Sequence, residues 1–373
     1  MLFIFRFCLF IICLWGPAPS HADQKKLNIS FVSPNRDDSR FWGTAHDFAR
    51  ASANDLNIDF KIYYNRDNNR FTYLEAFQRA VNAKEKPDAV LGVFFRFIGD
   101  EILEMARCKG IPVFMLNANI PDGEEKDIGS VRGKYKNFIG HMAPDEKAAG
   151  HILASYLIQT AKKKHPGKKI EIAGLSGHRE SPVSLNRGEG LARAAKDEKA
   201  KLRQVIYIDW TQPEAQVKED VQMRTKVLLT RYKKLDAFWF VSDAMALEGK
   251  AVMERLHRDV ITGGIDWKKE AILQIKNRVL HASVGGHFTE IGFSLVLLHD
   301  YLHGKDFYDE LGGRIKTRMT LLTMENIDRF HGLLTEQNWD EVDFSRYSKI
   351  LHPELKRYDF SFETLLNTIE KTR

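Results

Sequence analysis

Where apolar runs of strand length end, this chain repeatedly carries polar or aromatic side chains that could hold a small polar molecule. Ser39-Arg40-Phe41-Trp42 follows the run 27–32, and Asn117-Ala118-Asn119 follows 112–116. A long loop leading to Asn186-Arg187-Gly188-Glu189-Gly190 follows 169–174. Asp209-Trp210, Ser242-Asp243, Asp266-Trp267 and Gly285-Gly286-His287 end the later runs. Carboxylates and amides match vicinal hydroxyls, a guanidinium offers a planar fork of charged donors, and aromatic rings cover C–H faces. Together they suit a polyol. Plainer readings stand beside this one. Phe41 and Trp42 could join the core at a helix start, and Ser242 and Asp243 could cap a helix. Arg187 could bridge to Glu189 or another carboxylate.

Asp243 and Asp266 could be read as the acid pair of a glycoside-processing enzyme. Nothing around them in sequence suggests a raised pKa, so no catalytic residue is assigned and the chain is not read as an enzyme. The 13 histidines show no metal-ligand spacing such as His-Glu-x-x-His. Gly188-x-Gly190 is only a fragment of a nucleotide-binding glycine motif. No metal and no cofactor are expected.

The elements that must position these residues alternate. Strands are expected over 27–32, 58–63, 89–95, 112–116, 169–174, 204–208, 236–241, 260–265 and 280–284. Helices are expected over 41–56, 71–84, 99–109, 144–163, 185–199, 213–232, 244–257, 267–277 and 288–303, with Pro144 in a first turn. Alternation of this kind implies parallel sheets covered by helices on both faces. It runs twice, interrupted by the polar stretch 119–136, so an α/β chain of two lobes with a cleft between them is expected. Ligands of open α/β sheets sit outside the carboxyl ends of the strands, where the polar loops fall. Residues 337–373 read as a wrapping tail with a terminal helix over 362–371.

Residues 1–22 have an early Arg6, a short apolar stretch and a Ser20-x-Ala22 ending, the pattern of a cleaved secretory signal peptide. Beyond it only Cys108 remains of three cysteines, so no internal disulfide can form. An exported chain of this size without disulfides suits a bacterial periplasm. Cys108, late in a helix, reads as buried and inert. The net charge of +6 is scattered, and an exported chain is not expected to meet nucleic acid.

Ser39-Arg40-Phe41-Trp42, Asn186-Arg187-Gly188-Glu189-Gly190, Ser242-Asp243-x-Met245-Ala246-Leu247 and Gly264-Ile265-Asp266 come in the order and spacing of a known family. Over 27–324 the chain resembles the ribose/galactose-type periplasmic binding proteins, of the type I periplasmic binding fold. Its first loop and its longer C-terminal extension look closest to the LuxP branch, the periplasmic receptors of autoinducer-2. The resemblance implies two lobes joined by three hinge crossings. The N-terminal lobe would hold 27–141 and 287–318, and the C-terminal lobe 142–286 and 319–373. It implies a ligand-binding set of Ser39, Phe41, Trp42, Asn117, Arg187, Trp210, Ser242, Asp243, Asp266 and His287. Ala118 stands where ribose binders carry an arginine. Gly286-His287 stands where they carry a glutamine and the autoinducer receptors a second arginine. Both departures point away from those two ligands and leave another sugar-like molecule. The implied function is closure around that ligand and delivery to the membrane permease of an ABC importer. The alternative is a periplasmic sensor acting on a membrane kinase or cyclase. The chain would act as a monomer.

Overall fold

The structure, a computed structural model, describes residues 26–35, 40–179 and 181–370. The expected signal peptide and Ser39 lie outside the described residues. In chain order the first half runs β1 (Leu27–Ser33), α1 (Arg40–Asp55), β2 (Ile58–Tyr64), α2 (Arg70–Val81), β3 (Ala89–Gly92), α3 (Gly99–Cys108), β4 (Val113–Leu116), α4 (Glu125–Ile128), β5 (Phe138–Pro144) and α5 (Glu146–Lys164). The second half runs β6 (Glu171–Ser176), α6 (Pro182–Asp197), β7 (Lys201–Tyr207), α7 (Glu214–Arg231), β8 (Ala237–Phe240), α8 (Asp243–Arg255), β9 (Ile261–Ile265), α9 (Lys269–Lys276) and β10 (Ala282–Gly285). Then come α10 (Glu290–Leu302), α11 (Tyr308–Leu311), β11 (Arg314–Thr317), β12 (Thr320–Thr323), α12 (Ile327–Glu336) and α13 (Phe362–Glu370).

The strands form two six-stranded sheets, ordered β11-β5-β4-β3-β1-β2 and β12-β10-β9-β8-β6-β7. All pairs are parallel except β10 with β12. The molecule is thus a two-lobed α/β protein. The chain passes between the sheets after β5, after β10 and between β11 and β12. Strand order reverses beside β1 in one sheet and beside β6 in the other. Such a reversal opens a crevice at the carboxyl ends of the strands. Buried runs such as Phe31, Phe114 and Phe138 in one lobe and Phe238, Trp239 and Phe240 in the other fill the two cores.

Three strands escape the reading by periodicity. β5 is buried throughout, but its Gly140 and His141 break the apolar run. Pro144 ends this strand opposite Thr317 instead of opening a helix, and Asp145 caps α5 by accepting from the Ala148 N–H at 3.0 Å. β11 and β12 are four residues each, too short for a periodic signal. Cys108 is exposed, contrary to the expectation: it ends α3 on the solvent side, with its thiol 3.5 Å from Glu104. Among the described residues no helix is long and apolar enough to cross a membrane.

Candidate functional site

At the start of α1 the two aromatic rings part company. Trp42 turns into its lobe against Phe31 and His46, with ring centroids at 6.0 and 6.3 Å. Phe41 stays half-buried and stacks on His287 at 4.6 Å. His287 opens the turn after β10, just past Gly286 in the left-handed region at φ 107. One ring from the first polar loop therefore meets the residue at the second sheet crossing.

Arg187 lies beneath that contact, 3% exposed. It sits on the second turn of α6, whose start is fixed by Pro182 in the first turn and by Ser181 at the cap. Its Nε donates to Glu146 Oε2 at 2.5 Å and its Nη2 to Glu146 Oε1 at 3.3 Å. Its Nη1 donates to Asp266 Oδ1 at 3.0 Å and to the Val241 carbonyl at 2.9 Å. Nη2 also lies 3.4 Å from His287 Nε2. A guanidinium can only donate, so Nε2 accepts and the proton of neutral His287 is on Nδ1. Among the described residues Nδ1 has no hydrogen-bond partner. Burial, with Arg187 beside it, holds His287 well below its ordinary pKa and so neutral. Burial opposes the charge on Arg187, but Glu146 and Asp266 outweigh it and keep the guanidinium protonated.

The close approach of α5 to α6 makes this cluster possible. A Cβ on Gly150 would lie 2.0 Å from the Arg187 carbonyl oxygen, and one on Gly190 would lie 2.2 Å from that of Lys147. The two helix backbones touch, which brings Glu146 to Arg187. Glu189 instead pairs with Lys147 at 2.7 Å.

Asp266 keeps 23% of its side chain exposed, whereas Asp243 is fully buried. Both Asp243 oxygens accept from Ser283 Oγ at 2.8 Å, and Oδ2 also accepts from the Lys268 N–H at 2.8 Å. Asp243 therefore faces into its lobe and ties the loop after β9 to β10. Burial, reinforced by the charge of Asp266, pushes its carboxyl up to about 7. Burial also raises Asp266, against the pull of Arg187. The residues flanking these two acids carry no sign of raised carboxyls, because burial is a tertiary property. Ser242 caps α8, its Oγ accepting from the Met245 N–H at 3.4 Å. Trp210 is half-buried over Gly177, where a Cβ would meet its ring at 2.2 Å. Asn117 is half-buried with φ 64, directly after β4.

Arg187, Asp266, His287 and Phe41 thus come together. Sequence reasoning missed Glu146, the principal partner of Arg187. It also missed Glu290, buried three residues past His287 and bonded to Thr317. Glu146 follows Asp145 in a helix first turn, where an acid is expected for the helix dipole alone. That ordinary explanation hid it.

Residues 29–306 match the periplasmic binding protein domain family. The chain belongs to that family. A periplasmic sugar-binding protein from Pseudomonas fluorescens is 26% identical, superposes with a TM-score of 0.78, and is matched over 91% of this chain and 99% of its own. The ribose import binding protein RbsB of Bacillus subtilis (strain 168) is 23% identical over 216 residues, 57% of this chain. This periplasmic binding protein spans 62% of the length of that relative. A solute-binding protein from Actinobacillus succinogenes, solved with D-allose, shares the fold at 15% identity and a TM-score of 0.69, over 81% of this chain and 99% of its own. The family is one of binding proteins.

Proposed function

We propose that this protein is the periplasmic sugar-binding component of an ABC importer and works by hinge closure around its ligand. The observation that carries the reading is the Arg187 cluster: a buried guanidinium that joins Asp266 and His287 under the Phe41 ring, between the two sheets. A partly exposed carboxylate held by an arginine can accept sugar hydroxyls, and an aromatic ring can cover a C–H face. The likeness to a sugar-binding protein over nearly the whole chain supports it. Ser39, Asn117, Trp210 and Ser242 complete the proposed set from neighbouring strand ends. Trp42 and Asp243 would act from behind, by holding the Phe41 and Asp266 loops. The proposed lobes are those the resemblance implies, 27–141 with 287–318 and 142–286 with 319–373, with two changes: β5 stays whole in the first lobe to Pro144, and residues 339–360 pack on that lobe too. The protein is proposed to be a monomer exported by residues 1–22.

The test is a thermal-shift screen of purified protein against D-ribose, L-arabinose, D-galactose, D-allose and myo-inositol, followed by calorimetry. At least one should raise the melting temperature saturably and be recovered unchanged. Steady conversion of a sugar, or no response to any of them, would overturn the reading. The C-terminal extension, shared in kind with the LuxP branch, favours a second reading in which a membrane sensor reads the closed form. Co-purification with a permease or with a sensor kinase or cyclase separates the two.

A further inference from the structure

The loop that presents Asp266 is strained. Asp266 and Trp267 are consecutive non-glycine residues with φ of 124 and 56, a conformation that persists only where surrounding contacts enforce it. Two of the restraints are local. The Trp267 N–H points to Ser283 Oγ at 3.4 Å, and its indole Nε1 donates to the Ser283 carbonyl at 3.3 Å. Asp266 N–H donates to the Val284 carbonyl at 2.8 Å, and Lys268 N–H to Asp243 Oδ2 at 2.8 Å. The packing on the Trp267 ring comes in part from the C-terminal extension. Phe362 on α13 packs edge-on against the Trp267 ring at 4.9 Å, and Phe330 on α12 lies at 5.8 Å. The two phenylalanines meet at 5.7 Å.

The same extension is moored on the other lobe. Asp300, fully buried on α10, accepts from the Lys349 N–H at 2.6 Å, from Tyr358 Oη at 2.8 Å and from Ser348 Oγ. Phe360 stacks on Phe293 at 4.7 Å, and Trp339 packs on Phe48 at 5.3 Å. Between Phe360 and Phe362 the chain steps from one lobe to the other. Phe288 completes the path, meeting Trp339 at 5.3 Å and Phe362 at 6.3 Å, so packed rings run from Phe293 on α10 through Phe48, Trp339 and Phe288 to Phe362 and the residue beside Asp266.

We infer that Phe330 and Phe362 are positioning residues for Asp266: they clamp Trp267, hold the strained turn, and tie the ligand carboxylate to the opposite lobe. The ligand role of Asp266 rests on the proposed function, but the clamp does not. The test therefore uses the ligand-free full chain. Amide hydrogen exchange is followed in Phe362→Ala, Phe330→Ala and Phe362→Leu, which keeps most of the apolar bulk. In both alanine variants the amides of Trp267 and Lys268 should exchange roughly tenfold faster or more, while those of Leu175 and Trp239 in the core strands stay at wild-type rates. Phe362→Leu should restore protection. Unchanged exchange at Trp267 and Lys268, or an equal rise across β6 and β8, would overturn the clamp. A failed sugar screen would remove the ligand role of Asp266 and leave the exchange result intact.

Discussion

Arg187 belongs to the proposed ligand set, yet its five N–H donors are all engaged within the protein as a structural bridge, and its substitution tests both roles. Arg187→Ala strips the buried Glu146 of its partner, which typically costs about 3–5 kcal/mol of stability. The double change Arg187→Ala with Glu146→Gln should recover part of that loss in urea denaturation, yet still bind none of the sugars bound by wild type. Recovered binding in the double variant would leave Arg187 only the bridge. Asp243 yields a pH prediction. Its carboxyl titrates near 7 in the fold, against 3.8 for the free side chain. A group that holds its proton more tightly when folded stabilises fully below the unfolded pKa and loses that contribution as pH rises to the folded one. The stability of the wild type should carry a component falling by a few kcal/mol, on the order of 1.4 per pKa unit, between about pH 4 and pH 7. Asp243→Asn should flatten it in urea melts taken across that range. Equal slopes in both proteins would show that Asp243 titrates normally.

The crossing of α5 and α6 explains half of the Arg-Gly-x-Gly signature. Gly190 is where backbones touch; Gly188 is not, since a Cβ there would meet nothing nearer than Tyr207 Oη at 3.6 Å. Gly190→Ala should therefore cost about 1–3 kcal/mol through overpacking and weaken sugar binding by moving Arg187 away from Glu146. Gly188→Ala should change stability by well under that amount. Denaturation and calorimetry on the pair decide it; equal effects would mean that the crossing does not set the position of Arg187. The periodic helices and long apolar strands are legible in the amino-acid order itself, because burial on one face leaves a pattern in the chain. β5, β11 and β12 are not. Their pairing is dictated by neighbours distant in sequence, Thr317 opposite Pro144 and Leu321 opposite Val284.

At the scale of the whole molecule, two sheets joined by three crossings leave a ligand that touches both lobes with more contacts when they close. Binding must then shift the population toward the closed form. With the best sugar of the panel, the radius of gyration from small-angle scattering should fall, tryptophan fluorescence should change and the melting temperature should rise with ligand concentration. A sugar that binds with unchanged scattering would leave a binding protein without the hinge mechanism. His141, buried on β5 with Nε2 against the Ala118 carbonyl at 2.9 Å, is held down to about 4 by burial. It is neutral in the fold and charged once unfolded below pH 6.5. Its share of stability is therefore lost as pH falls from about 6.5 to 4, opposite in sign to that of Asp243. Urea melts of His141→Gln should lack that acid-side loss.

Sequence alone determined the α/β class, the two-lobe plan, the strand-end turns that carry Asp266 and His287 and the helix starts that carry Phe41 and Arg187. Each of these is written in local terms: an apolar run, a turn, a polar residue after it. Tertiary structure decided how those residues are used. It turned Trp42 inward and left Phe41 at the lobe contact. It buried Asp243 behind Ser283 and raised its pKa. It gave Arg187 to Glu146 rather than to Glu189, and set the tail against Trp267. Burial, helix crossing and the direction a side chain takes depend on what arrives from elsewhere in the chain, and no local pattern records that.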